Sequence, residues 1–149
     1  MAFSISSAIA HHARALHALE LRCFDGDQLG LASFNRLLKS PSAEVLVITN
    51  DAEDIIGYAL ILTRKNSRWW RLYSVAIAPE YRGQGLSRKL MAEILTRASQ
   101  AGAQGVRLEV KVNNHAAIEL YRHYQFEVID LLPAYYEDGS DGYRMQRSF

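Results

Sequence analysis

The sequence carries one cysteine, Cys23, and three prolines in 149 residues. A single thiol cannot close an internal disulfide, so the chain has no covalent frame to lean on, and that suits a reducing cytoplasm. No apolar run is long enough to span a bilayer. The start, Met1-Ala2-Phe3-Ser4-Ile5, lacks the basic and apolar regions of a secretion signal, so no membrane role is expected. Charge of one sign is also scarce: the formal net charge is +1, which gives no field for a nucleic-acid partner. No internal repeat or low-complexity linker divides the chain, so residues 1–149 are expected to form a single domain. The five histidines, His11, His12, His17, His115 and His123, show no metal-ligand spacing with Cys23, so no metal is expected. Cys23 has no indicated histidine partner and is a poor nucleophile candidate.

What is present is an ordinary globular balance, 49% hydrophobic and 22% charged, in a chain long enough to bury a core. Phe3 to Ser6 reads as a short strand. Ala13, Leu16, Leu19 and Cys23 recur at helical spacing between Ala10 and Cys23, and Asp25-Gly26-Asp27 stops that helix. Leu31 to Leu38 predicts a second helix with Phe34, Leu37 and Leu38 on its buried side. Glu44 to Thr49, Ile55 to Leu62 and Arg71 to Ile77 are strands by their β-branched and aromatic content. A helix follows to about Gln100, with the stripe Leu86, Leu90, Ile94, Leu95 and Ala98, and Gly102 and Gly105 end it. Val106 to Val110 is a strand with Arg107 and Glu109 on its non-core face. A last helix, Ala116 to Tyr124, precedes two strands, Glu127 to Leu132 and Gly142 to Arg147. The order implies a mixed α/β sheet with helices on both faces, and Arg71 to Val110 must be a right-handed parallel crossover.

Between the third long strand and its helix lies Arg82-Gly83-Gln84-Gly85-Leu86-Ser87-Arg88. Glycines at a strand-to-helix turn let backbone approach a ligand, and the free amides of a helix start attract an anion. Arg82 and Arg88 add positive charge, so the segment suits a pyrophosphate. A dinucleotide fingerprint would need a third glycine where Arg88 stands, and a P-loop would need Gly-Lys-Ser/Thr. On spacing alone, a glycine-rich turn that binds nothing remains open.

The stretch Val75-Ala76-Ile77-Ala78-Pro79-Glu80-Tyr81-Arg82-Gly83-Gln84-Gly85-Leu86-Ser87 resembles the acetyl-CoA motif of the GNAT superfamily of acetyltransferases. Arg82 and Gly85 fit the motif; Ser87 departs from its final Gly or Ala, and its small hydroxyl side chain suits a helix start. Arg107-Leu108-Glu109-Val110 followed by Asn113-Asn114 and Leu120-Tyr121, with Tyr135-Tyr136-Glu137-Asp138-Gly139 and Tyr143-Arg144-Met145, resembles the bacterial ribosomal-protein alanine N-acetyltransferases. The resemblance implies a mostly antiparallel central sheet with one parallel strand–helix–strand unit, and acetyl-CoA as co-substrate. It implies pantetheine contacts from the backbone of Val75, Ala76 and Ile77, phosphate contacts from residues 82–88, and a CoA contact from Asn114, whose plainer role is a helix cap.

The chemistry so implied needs an acceptor amine to lose a proton and a departing thiolate to gain one. Glu109 is the candidate base, directly or through water; the plainer reading is an ion pair with Arg107 or Lys111. Tyr121 is the candidate acid, and the plainer reading is a core tyrosine; in each case it is the resemblance that favours the catalytic role. The acceptor is expected to be a protein or peptide N-terminus, with a lysine side chain or small amine as alternatives and a non-catalytic acyl-CoA-binding domain as a rival. It would enter between a wall from Phe24 to Phe34 and a hairpin loop carrying Tyr135 and Tyr136, of which one tyrosine is expected merely to pack. Trp69-Trp70 is expected to pack at a strand start or line the acceptor groove.

Overall fold

A computed structural model of the chain describes residues 2–26 and 28–149. Asp27, part of the stop signal Asp25-Gly26-Asp27, lies outside the described residues, as does Met1. The strands are β1 (Ser4–Ser7), β2 (Ala43–Thr49), β3 (Ile55–Leu62), β4 (Trp69–Ile77), β5 (Gly105–Lys111), β6 (Glu127–Leu132) and β7 (Gly142–Ser148). The helices are α1 (Ala13–Cys23), α2 (Leu31–Leu37), α3 (Leu86–Gln100) and α4 (His115–His123). The elements follow the sequence pattern closely where a helical period, an alternation or an unbroken β-branched run is sustained across a segment.

Among the described residues the strands form one sheet in the order β1-β2-β3-β4-β5-β7-β6. Every pairing is antiparallel except β4 with β5, which the α3 crossover joins in parallel. Val45 to Ile48 and Ile56 to Ile61 are buried without interruption, as strands covered on both faces must be. Helices α1 and α2 pack together over β2, β3 and β4, and α3 packs on β3, β4 and β5. Beyond β4 the pattern alternates instead: Val106, Leu108 and Val110 are in the core, while Arg107, Glu109 and Lys111 face away from it. The open polar face of β4, β5 and β7 therefore lies on the side away from the core-facing residues of β5.

One assignment changes. Gly105 does not end α3 but opens β5, where an added Cβ would stand 2.2 Å from the Arg147 carbonyl oxygen and 2.5 Å from the Trp69 ring. The glycine is there for close packing, not for a helix stop. Gly102, with φ +78°, does follow the end of α3.

Candidate active site

The strand-to-helix turn is fixed at both ends. The Ala78 amide donates to the Ile56 carbonyl (2.8 Å), and Asn50 donates to the Tyr81 hydroxyl (3.0 Å). Gly83 and Gly85 then take φ values of +79° and +75°, a region that side chains with a Cβ resist. Nothing lies within 4 Å of a Cβ at either position, so the requirement is conformational and the space outside is open. The first helical hydrogen bond runs from Lys89 N to Gly85 O (3.2 Å). The amides of Leu86, Ser87 and Arg88 thus precede the helical ladder and are available to an anion. Leu86 is 2% exposed and anchors the start of the helix in the core.

Arg82 is exposed. Its Nε donates to the Ile77 carbonyl at 3.0 Å, so it braces the end of β4, and the Cys23 thiol donates to the same oxygen at 3.5 Å. Burial pushes the Cys23 thiol up from its ordinary range. Arg88 stays exposed, while its carbonyl accepts from the Tyr124 hydroxyl (3.0 Å), tying α4 beside the start of α3.

The sheet opens between β4 and β5. Their pairing runs only from Trp69–Gly105 to Leu72–Leu108. There Tyr73 is an extra residue on β4, passed over as Leu60 pairs with Ser74 and Ile61 with Leu72. Such a bulge bends and twists its strand. Beyond it, Val75, Ala76 and Ile77 pair with β3 on one side and with no strand on the other among the described residues. Glu109 is the first residue of β5 past the split.

Neither expected ion-pair partner of Glu109 is the real one. Residues two apart on a strand point the same way without meeting, whereas cross-strand neighbours face each other. Arg144 stands directly across β7 with its Nε 3.8 Å from Glu109 Oε2. Arg71 of β4 pairs with Oε1, its Nε donating at 2.8 Å. Arg107 instead donates to Gln146 (3.0 Å) and covers the Trp69 ring at 4.0 Å; Lys111 pairs with Asp138 (3.0 Å). The Glu109 side chain is only 8% exposed.

The hairpin loop reaches this carboxylate. The Tyr135 hydroxyl donates to Glu109 Oε1 at 3.5 Å and accepts from Arg71 at 3.3 Å. Tyr136 lies edge-on to Tyr135 and packs over Gly142, so it is the tyrosine that seats the hairpin. On the other wall, Phe24 caps α1 and is partly buried. Phe34 is corrected: it is 0% exposed and packs edge-on against Tyr58 at 5.7 Å, because the apolar side of α2 turns into the core. It lines no groove.

On α4, Asn114 accepts from the Ala117 amide (3.3 Å) and caps the helix. Tyr121 packs against Phe126, and burial pushes its phenol up to about 12, so it holds its proton at neutral pH.

Sequence reading passed over one polar cluster. Glu20, 2% exposed, accepts from the Tyr58 hydroxyl (2.5 Å) and the Leu29 amide (2.9 Å), and Tyr58 meets the Ser74 hydroxyl at 3.0 Å. Burial and the neighbouring Glu20 carboxylate push the Tyr58 phenol far above its ordinary value. The cluster joins α1, the segment after it, β3 and β4 just before Val75. Its signal was available: Glu20 lies four residues after Leu16, on the buried stripe of α1.

Comparison with known proteins identifies the family. Residues 11–126 match the family model described as Acetyltransferase (GNAT) family. An uncharacterized Mycobacterium leprae protein, ML0378, is 38% identical over 133 residues, 87% of this chain and 36% of that protein. The N-alpha-acetyltransferase RimI of Mycobacterium tuberculosis is 36% identical over 133 residues, 87% of this chain and 82% of that one. The crystal structure of the Escherichia coli ribosomal-protein-S18-alanine N-acetyltransferase superposes with a TM-score of 0.89 at 23% identity, covering 99% of this chain and 94% of that one.

Proposed function

The chain belongs to the GNAT family of acetyltransferases, and from that premise we propose that it transfers acetyl from acetyl-CoA to the α-amine at a protein or peptide N-terminus. The observation that carries the reading is the split between β4 and β5. A vacant strand edge runs beside the glycine turn, and Glu109 stands at its mouth under Tyr135.

The residues fit the co-substrate. The φ-positive glycines with open space outside them, and the free amides of residues 86–88, suit a pyrophosphate. Gln84, Ser87 and Arg88 line the same turn, and the unpaired edge of Val75, Ala76 and Ile77 suits the amides of a pantetheine arm. Asn114, which caps α4 shortly after β5, is the side chain that adds a CoA contact there. Bound there, acetyl-CoA supplies an activated thioester.

The acceptor amine must arrive neutral. An α-amine has an ordinary pKa of about 7.7 to 8.0 against about 10.4 for lysine, so a modest base suffices. Oε1 of Glu109 is engaged by Arg71 and Tyr135, whereas Oε2 has only the longer 3.8 Å approach of Arg144, so Oε2 is the oxygen that takes the proton, directly or through one water. Tyr121, protonated at working pH, gives a proton to the leaving sulfur. Phe24 and Tyr135 flank the entry. The lone Cys23 and the need for acetyl-CoA suit a cytoplasmic setting.

The test is competition between peptides with a free N-terminus and matched peptides with a blocked N-terminus and an internal lysine, read by mass spectrometry. Acetylation of the free α-amine is the expected result. Preference for the lysine peptide, or for a small amine over both, overturns the acceptor; no turnover of any amine, with CoA bound, turns the reading to regulatory acyl-CoA binding.

A further inference from the structure

Beyond Glu109 the open face of the sheet forms a groove of about 550 Å³ whose charge the transfer chemistry does not use. We infer that this groove selects polypeptide ends in which the residues after the α-amine carry carboxylates. The inference rests on the N-terminal acceptor reading above and names the chemistry of the chain that follows the amine.

Five arginines from five separate segments line the groove: Arg36 in α2, Arg64 after β3, Arg71, Arg107 and Arg144. Glu109 is the one acidic residue among the lining side chains. The whole chain has a net charge of only +1, so this cationic surface is a local concentration and not a by-product of a basic protein. Three of the arginines are engaged: Arg71 and Arg144 with Glu109, and Arg107 with Gln146 and Trp69. Arg36 and Arg64 are exposed, and among the described residues no carboxylate pairs with either.

The pattern of charge selects the ligand. A chain that places its amine at Glu109 runs outward past guanidinium groups at roughly 3.4 Å per extended residue. Carboxylates at the second to fifth positions then meet arginines suited to bidentate pairing. Arg107 already covers one face of the Trp69 ring, which removes that face as a stacking platform for a nucleic-acid base.

The experiment compares two peptides that share a first residue and differ in carrying Glu/Asp or Gln/Asn at positions two to five. The readout is the ratio of their kcat/KM values, in which any general loss of activity cancels. Two or three exposed ion pairs give an expected ratio of about tenfold for the acidic peptide, shrinking as salt is raised. The double variant Arg36→Ser, Arg64→Ser should lower that ratio about fivefold, because the partners of exposed pairs act independently. Turnover of both peptides with equal kcat/KM overturns this inference alone, as does a preference that the double variant leaves intact. Failure to acetylate either peptide overturns the acceptor reading as well.

Discussion

The two sides of the β4–β5 split are made differently. On the α3 side the binding surface is backbone: two glycines at positive φ, three amides ahead of the helical ladder and a vacant strand edge. On the other side it is side chain: Glu109, Arg71, Arg144 and Tyr135, drawn from three strands and a loop. A backbone surface depends on dihedral angles and ignores most side-chain changes that leave them intact. A side-chain surface tolerates backbone drift poorly and can change its preference through single substitutions. On the function proposed above, a common donor would be held by the part that varies least easily, and the acceptor by the part that varies most easily.

The largest effect expected is on the chemistry where the two sides meet. Tyr121→Phe keeps the ring against Phe126 and removes the proton donor, so kcat should fall about a hundredfold or more while CoA affinity holds. Glu109→Gln should cost a similar factor with an identified acceptor. Wild-type rates in both would remove the assignments. The phenol also gives a stability signature. Its folded pKa of about 12 lies above its ordinary value of 10.0, so its contribution is complete below pH 10 and is lost between about 10 and 12. Alkaline unfolding of Tyr121→Phe should lose that share of the pH dependence, while the raised Tyr58 phenol keeps its own.

Next is the backbone side. Gly85→Val forces a Cβ-branched residue into φ +75°, where nothing crowds it but the conformation itself is costly. Saturating CoA at about a hundred times its Kd should stabilise the wild type by about 2.7 kcal/mol. Thermal melts should show that shift lost in the variant. A retained shift would mean that the site is not set by the backbone, and the contrast between the two sides would fail.

The smallest effect sharpens the boundary between them. Asn114→Ala removes the cap of α4 and should cost about 1 kcal/mol of stability by denaturant titration. If CoA affinity also drops beyond that loss, the Asn114 side chain touches the donor and the donor side is not purely backbone.

These differences also explain what the sequence disclosed. The glycine turn, its helix and the crossover lie within one contiguous stretch, and local rules read contiguous stretches well. The point where the split begins was hidden, because the bulge at Tyr73 carries no local signal and shows only in the register with β3. The partners of Glu109 were hidden for the same reason: Arg144 and Arg71 are distant in sequence and meet the carboxylate only through cross-strand pairing. Phe34 was read both as the buried side of α2 and as a groove wall, and its 0% exposure decides for the first. Gly105 reads as a helix stop in the sequence because its constraint, the Trp69 ring and the Arg147 carbonyl, comes from elsewhere in the chain.

Unpaired strand edges usually invite another sheet to add on, which is why proteins guard their outermost strands. The bulge at Tyr73 creates such edges in the interior of the sheet, between its fourth and fifth strands, walled by β3 on one side and β7 on the other. An edge flanked on both sides by strands of its own sheet is guarded by its position, where an outermost strand must be guarded by charge, proline or a cover. The fold thus keeps a templating surface inside the sheet and away from its rim.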